Sequence, residues 1–450
     1  MLKKVLIANR GEIALRVVRA CREASIASVA VYSDADAEAL HVMQADQAVR
    51  IGPAPASQSY LNIKAILNAA RETGADSIHP GYGFLAENAG FAAACREQGL
   101  IFIGPSPEAI EGMGNKATAR HIAMKAAVPV VPGTEGTISV DQALSAAESI
   151  GYPIMVKAAA GGGGRGIRVA STPEELREAV LIAEQEATSA FGDGSIYLER
   201  RLVNARHVEV QVLGIQPGQA VHLYERECSM QRRRQKLLEE APSLAINSAT
   251  REAMTGAAVR LVQAAGYTNA GTVEFLVDAD GNFFFIEMNT RIQVEHPVTE
   301  MTTGIDLVKE QFRIAGGEPS ELRQDDIHIN GWAIEFRINA EDPARNFYPS
   351  PGKVTTLESP IGPGIRVDSA LYQGYSIQPF YDSLIAKLIV WGPTREEAIL
   401  RSRKALSEYR IEGIKTTIPL HLQLLQDEAF LSGQYHTAHL EHLLASRTGS

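Results

Sequence analysis

Cysteine is scarce in this 450-residue chain, and Cys21, Cys95 and Cys228 stand far apart. That excludes a disulfide framework and a cysteine-built zinc site, and it fits a reducing compartment. No apolar run reaches the length of a membrane span. The opening MLKKVLIANRGE offers an uninterrupted apolar run of only four residues, Val5 to Ala8, before Asn9 and Arg10, too few for a signal-peptide core. A cytoplasmic protein is expected, with no membrane partner. Positive charge is also short: 43 Lys and Arg against 53 Asp and Glu leave a net charge of −10. This argues against nucleic acid as a partner but not against small anions, because basic residues cluster locally. Two phosphate-binding loops are missing. The turn after the first apolar strand, Asn9-Arg10-Gly11, is not the G-x-G-x-x-G of a dinucleotide fold. Gly161 to Gly166 neither ends in Gly-Lys-Ser/Thr nor opens a helix. There are no internal repeats and no low-complexity tract. What remains is an ordinary globular composition, 45% apolar and 21% charged, long enough for two to four domains.

The most informative stretch is FFFIEMNTRIQVEHP, Phe283 to Pro297. Alternate residues of a strand point to opposite faces. An extended backbone here presents Glu287, Asn289, Arg291, Gln293 and Glu295 on one face and Ile286, Met288, Ile292 and Val294 on the other. Three Phe in a row at its start predict an interior strand. Charges of both signs placed in an interior are costly unless paired or bound to an ion. The polar face therefore reads as a reaction site.

The chain in order alternates strands and helices up to about Ile103, which predicts a parallel α/β unit. On its first helix Arg16, Arg19 and Glu23 lie together at helical spacing, and the residues alone favour a solvated face. A Gly- and Pro-rich loop, His79 to Asn88, carries His79, Tyr82 and Glu87; a plain turn and a site-lining loop both fit. Pro107 to Pro132 marks a boundary and includes a helix with Lys116. Within it Ala123-Met124-Lys125 has the look of a biotinylation tripeptide, but it lacks the second Met and reads as helix, so it is rejected. Gly161 to Gly166 separates two strand-like runs, the first ending at Lys157, and predicts a hairpin whose backbone N–H groups can fold over phosphates and act as a lid.

Beyond the hairpin, His207, Glu209 and Gln211 share one strand face. Cys228 to Lys236 (CSMQRRRQK) is dense in cations, reading as an anion site or as a surface patch paired with Glu239 and Glu240. Asp278-Ala-Asp-Gly281 is a turn between two strands. A four-residue loop there sets Glu274 opposite Phe285 and diagonal to Glu287. A Mg²⁺ fits between the two carboxylates, with Asn289 as a third oxygen donor. On the strand Trp332 to Asn339, Arg337 either clamps an anion or pairs with Glu335.

IANRGEIA, HPGYGFLAEN, GGGGRG, RECSMQRR, FIEMNTRIQVEHPVTE and RINAEDP, in this order, resemble biotin carboxylase from residue 1 to about 445. That family is the ATP-grasp component of acetyl-CoA carboxylase and related biotin-dependent carboxylases. The resemblance implies an N-terminal α/β domain (1–112), an ATP-grasp α+β region with a mobile lid (113–330, lid about 131–202) and an antiparallel-sheet C-terminal domain (331–446). It implies the ATP- and bicarbonate-dependent carboxylation of biotin on a carrier protein through carboxyphosphate, with Mg²⁺ or Mn²⁺.

Position by position, the resemblance assigns nucleotide contacts to Lys116, Lys157, Gly163, Gly164, Glu199, Arg200, Arg201, Leu202, His207, Gln231 and Arg234. Metal positions are Glu274, Glu287 and Asn289. Lys236, Arg291, Gln293, Val294 and Arg337 fall around bicarbonate, with Tyr82 beside the substrate. Glu295 falls at the general base and Arg337 at the group that stabilises the biotin enolate. Arg16, Arg19 and Glu23 fall on a homodimer surface. Arg234 stands where the family carries His, a bulkier and permanently charged replacement. The chain holds no biotin-accepting or carboxyltransferase segment, so separate carrier and carboxyltransferase subunits are expected. Another ATP-grasp ligase, using carboxyphosphate with ammonia, and a non-catalytic nucleotide-binding regulator stand as alternatives.

Overall fold

A computed structural model describes residues 1–134, 136–158, 167–191 and 194–448. The glycine loop, with Gly163 and Gly164, lies outside the described residues. The N-terminal unit is a parallel sheet of β1 (Lys4–Ile7), β2 (Ala27–Ser33), β3 (Gln47–Gly52), β4 (Ser77–His79) and β5 (Ile101–Phe102), in the order β3-β2-β1-β4-β5. Its strands are short continuous apolar runs because helices cover both faces of a parallel sheet. Val5, Leu6 and Ile7 are fully buried, as are Val29 and Val31. The α/β expectation therefore holds.

A smaller unit contains β6 (Ile154–Ala158), β7 (Ile167–Ala170) and β8 (Ile196–Arg200), in the antiparallel order β7-β6-β8. The helices Val140–Ile150 and Pro173–Phe191 pack on it through their own small core, centred on Ile154, Val156, Leu176, Val180 and Leu198. β6 and β7 flank the glycine loop as paired antiparallel strands, as the hairpin reading requires.

The framework of the site is a single antiparallel sheet. Its strands are β9 (Arg206–Gln216), β10 (Gln219–Arg232), β11 (Gln235–Ala241), β12 (Asn269–Val277), β13 (Phe283–Asn289), β14 (Trp332–Asn339), β15 (Ile365–Ser369) and β16 (Leu384–Gly392). They run in the order β13-β12-β9-β10-β11-β14-β16-β15, so one continuous sheet carries both the ATP-grasp and the C-terminal segments. One face of β9 and β12 is apolar: Val208, Val210, Val212, Val273 and Phe275 pack beneath the helix Ser248–Ala264. The opposite face is polar, and the site is built there.

Three expectations need correction. β13 is an edge strand, not an interior one; its free edge is partly covered by Pro129, whose carbonyl accepts from the Phe285 N–H at 2.7 Å. Strand structure ends at Asn289, and residues 290–295 continue as bends and turns into the helix His296–Thr303. The hairpin register also differs. Val277 pairs with Phe283 and Phe275 with Phe285, but Glu274 lies directly opposite Glu287 because a β-bulge intervenes. The turn is one residue longer than expected and Ile286 is a further extra residue, and the two shifts together move Glu287 from a diagonal position to a facing one.

Glu240 is a structural acid of this sheet, not a partner of the basic segment. Its fully buried carboxylate accepts from Arg395 Nε at 2.7 Å, Trp332 Nε1 at 2.7 Å and Tyr435 Oη at 2.6 Å. Losing one partner of such a pair leaves the other charge buried alone. Arg395→Met should lower stability by about 3–5 kcal/mol, measured as a lower urea midpoint with unchanged slope.

Candidate active site

A row of polar side chains runs across four strands of the large sheet. Arg226 on β10 faces Glu209 on β9, Glu209 faces Glu274 on β12, and Glu274 faces Glu287 on β13. Like charges directly opposite one another destabilise a sheet, so three adjacent carboxylates require cations. Arg226, fully buried, closes one end, donating from Nε to Glu209 Oε1 at 2.6 Å and also reaching Gln211, Thr272 and Thr299. Lys236, at the start of β11, lies over the middle. Its ammonium donates to Glu209 Oε2 at 2.6 Å, Glu274 Oε1 at 2.9 Å and Glu295 Oε1 at 2.7 Å. At the far end Glu287 is 43% exposed, with Lys116 Nζ 4.0 Å away. The site thus grades from a dry floor at Glu295, with no exposure, to a wet rim at Glu287.

Residues 290–295 return over this row. Arg291 donates to Asn289 Oδ1, Gln293 Oε1 and Glu87 Oε2, each at 3.0 Å. Glu87 also accepts from the Thr290 N–H, so the His79–Asn88 loop does line the site. The Asn289 amide donates to Glu274 Oε1 at 2.9 Å. Gly81 makes the approach of that loop possible: its φ of +64° lies in the left-handed region, and a Cβ would lie 2.7 Å from Asn9 Nδ2. Asn9 Nδ2 itself donates to the carbonyls of Pro80 and Tyr82.

Arg337 completes the floor. On β14 it donates from Nε to Glu239 Oε1 at 2.6 Å and from Nη2 to Glu295 Oε2 at 2.9 Å. Its partners are therefore Glu239 and Glu295, not Glu335, whose buried oxygens have no hydrogen-bond partner among the described residues.

The electrostatics follow from these contacts. Burial alone would raise Glu295, but Lys236, Arg337 and Arg226 outweigh it and hold the carboxyl well below the usual range. Burial likewise opposes ionisation of Glu274, and Lys236 and His207 overcome it. Lys236 is held well above its ordinary value, its desolvation outweighed by the three carboxylates. His207, buried with Nε2 3.1 Å from Glu274 Oε2, moves up because that carboxylate outweighs desolvation. Glu287 is raised by desolvation and then by the Glu274 charge, a repulsion that a divalent cation between the two would relieve. The donor set fits Mg²⁺: two facing carboxylates and one amide oxygen, with the remaining coordination left to water and phosphate oxygens.

Other expected residues form a second group. Lys157 pairs with Glu199, and Arg120 Nη1 lies 3.6 Å from the same carboxylate. Arg200, the last residue of β8, and Arg201 are exposed, and Leu202 just beyond is half-buried. Gln231 is buried opposite Lys236, whereas Arg234 is exposed at the tip of the β10–β11 hairpin. Arg233 and Arg234, with φ of 49° and 66°, form that two-residue turn. Tyr82 donates to Glu12, which is 3.1 Å from Lys387 Nζ. Sequence reasoning missed Arg226, Glu239, Glu12 and Lys387 as parts of the site. Lys387 did leave a signal, a lone cation within the apolar run LIAKLIVW.

Comparison with known proteins bears on this geometry. Residues 1–110 match the model of the biotin carboxylase N-terminal domain, 115–323 that of the carbamoyl-phosphate synthase L chain ATP-binding domain, and 335–442 that of the biotin carboxylase C-terminal domain. Biotin carboxylase 1 of Bacillus subtilis is 57% identical over 443 residues, covering 98% of both chains. The biotin carboxylase of Haemophilus influenzae is 54% identical over 446 residues, covering 99% of both chains. The biotin carboxylase domain dimer of Hydrogenobacter thermophilus 2-oxoglutarate carboxylase, solved with MgADP, ADP and bicarbonate, superposes with a TM-score of 0.92. It is 52% identical, with 98% of each chain covered. With matches to both terminal-domain models and full-length relatives above half identity, the chain belongs to the biotin carboxylase family.

Proposed function

We propose that this chain carboxylates biotin on a carrier protein, using ATP and bicarbonate, with Glu295 as the base. The observation that carries the reading is the seat of Glu295, whose two oxygens are held by two different cations, Lys236 and Arg337. Bicarbonate is an anion and a poor nucleophile. The same two cations, with Arg291, supply the positive field to hold it beside a carboxylate that is ionised throughout the working pH range. As a bicarbonate oxygen attacks the γ-phosphorus, Glu295 accepts the proton and ADP leaves, giving carboxyphosphate. Lys116 at the rim and Lys157, paired with Glu199, are placed to meet phosphate oxygens, with His207 below. Glu274, Glu287 and Asn289 would hold the divalent cation, which offsets phosphate charge when bound. Carboxyphosphate then breaks at the bond between its carbon and the phosphate oxygen into CO2 and phosphate, the phosphate takes the N1′ proton, and N1′ attacks the CO2. Arg337 would face the ureido oxygen of biotin, where charge develops as that proton leaves. Tyr82 lines the same side.

The domain division proposed is 1–112, 113–330 and 331–446, with residues about 131–202 as the lid. A cytoplasmic location suits three buried free cysteines and the absence, among the described residues, of a helix able to span a membrane. A homodimer is supported by the surface of the helix Gly11–Glu23. Arg16, Arg19, Glu23, Glu300, Arg366 and Asp368 line a concavity of ≈ 310 Å³ there. Arg16 is not simply solvated: it donates to Glu300 at 3.0 Å and to Asp306 at 2.7 Å. Other relatives are named for carboxylases of pyruvate and 2-oxoglutarate. The final acceptor therefore belongs to the carboxyltransferase partner.

Free biotin should stimulate bicarbonate-dependent ATP cleavage by the purified protein. ATP cleavage stimulated by ammonia but not by biotin would replace this reading with the carbamoyl-phosphate type. Glu295→Gln should lower bicarbonate-dependent turnover about 100-fold or more while ATP still binds; undiminished turnover would remove Glu295 as base. Glu239 supplies a pH test. Burial raises its carboxyl, Arg337 pulls it down, Glu295 raises it again, and it settles at about 7. A raised acid favours the folded state fully below the unfolded value, near 4.5, and that contribution is lost as pH rises through about 7. The stability of the native protein relative to Glu239→Gln should therefore fall by about 2 kcal/mol between pH 5 and 8, measured by urea unfolding.

A further inference from the structure

Segment 290–295 has left the sheet, so its peptide groups are held by single side chains instead of a neighbouring strand. Glu87 holds the Thr290 N–H, and His296 Nδ1 lies 2.8 Å from the Gln293 carbonyl. The carbonyl of Val294 accepts from Lys387 Nζ at 2.8 Å. Orienting that carbonyl fixes the plane of the peptide joining Val294 to Glu295, and with it the direction in which the Glu295 side chain leaves the backbone.

Lys387 is fully buried. It stands in a cross-strand row, Arg337–Lys387–Asp368, on β14, β16 and β15. Its two neighbours are engaged elsewhere. Arg337 is bound to Glu239 and Glu295, and both oxygens of Asp368 accept from Arg366, at 2.9 and 2.7 Å. Lys387 therefore reaches off the sheet, to Val294 and to Glu12 Oε1 at 3.1 Å. Glu12 lies in the first turn of the first helix of the N-terminal unit and also accepts from Tyr82. One ammonium thus ties the N-terminal unit, the Glu295 segment and the C-terminal strands together directly behind the site. Satisfying a carbonyl needs only a neutral donor, and a buried ion pair is weak evidence of added stability.

We infer that Lys387 is a positioning residue for the carboxylation reaction, holding the Val294–Glu295 peptide so that Glu295 meets Lys236 and Arg337. The inference rests on the reading of Glu295 as base. The test pairs Lys387→Met with Glu12→Gln, which removes both buried charges and keeps an acceptor for Tyr82. Bicarbonate-dependent ATP cleavage should fall at least about 30-fold and the KM for bicarbonate should rise, while the directly measured Kd for MgATP stays near its native value. Lys387→Arg keeps the charge balance if the pair fails to fold; its planar head cannot take the ammonium's position, and it should cost about tenfold in the same turnover. Native turnover in either variant overturns the inference. So does a parallel loss of MgATP affinity, which marks a merely structural role. Glu295→Gln, measured alongside, separates the two claims. If it is inactive while the Lys387 variants turn over normally, only the positioning role fails. If it retains native turnover, the base assignment itself fails and takes the positioning role with it.

Discussion

Three carboxylates side by side on one sheet face are a configuration that water-soluble proteins avoid unless something positive is built in with them. Here Glu209, Glu274 and Glu287 occupy adjacent strands in direct register. A fixed guanidinium stands at the dry end and an ammonium over the middle. Among the described residues the wet end carries only Lys116, at the 4.0 Å limit of an ion pair. The sheet thus holds its negative charge in a gradient, fully compensated inside and under-compensated at the rim. A cationic ligand is drawn to the rim, while an anionic one is drawn to the floor where Lys236, Arg291 and Arg337 gather. The divalent ion of a metal–nucleotide complex at the rim and a small oxyanion at the floor, as proposed above, match those two demands.

The units divide the work accordingly. The large sheet supplies the charges, and its apolar face under the helix Ser248–Ala264 keeps their backbone rigid. The N-terminal unit contributes few site residues but closes the floor from below through Glu12, Tyr82 and Glu87. The small unit brings Lys157 and Glu199 on paired strands.

Much of this was legible in the sequence, because strand alternation is a local property. The run from Glu287 to Glu295 announced its chemistry, and His207, Glu209 and Gln211 announced their shared face. The ordered motifs gave the family and hence the ligands. What local pattern cannot encode is pairing across distance. Arg337 met Glu239, ninety-eight positions away, in preference to its near neighbour Glu335. Three consecutive Phe suggested an interior strand, yet hydrophobic flanks say only that a strand is covered, and here the cover is the Pro129–Val130 segment, not another strand. Alternation beyond Asn289 was read as extended chain. The side chains do converge, but through bends held by individual hydrogen bonds. Lys387 and Glu12 each sit singly in an apolar context, and a lone charge acquires meaning only when its partner's position is known.

The one-residue bulge at Ile286 has an effect on how the hairpin tolerates change. β12 takes its alignment from β9, with which it pairs without interruption from Asn269 to Val277, and not from the turn it shares with β13. On the tip side of the bulge, the β12–β13 ladder follows one phase; on the site side it follows another. Ile286 therefore works as a mechanical slip joint. Length variation at Asp278–Asn282 is taken up between tip and bulge, and the facing of Glu274 and Glu287 is insulated from it. The exposed turn can therefore change length while Glu274 and Glu287 keep facing each other.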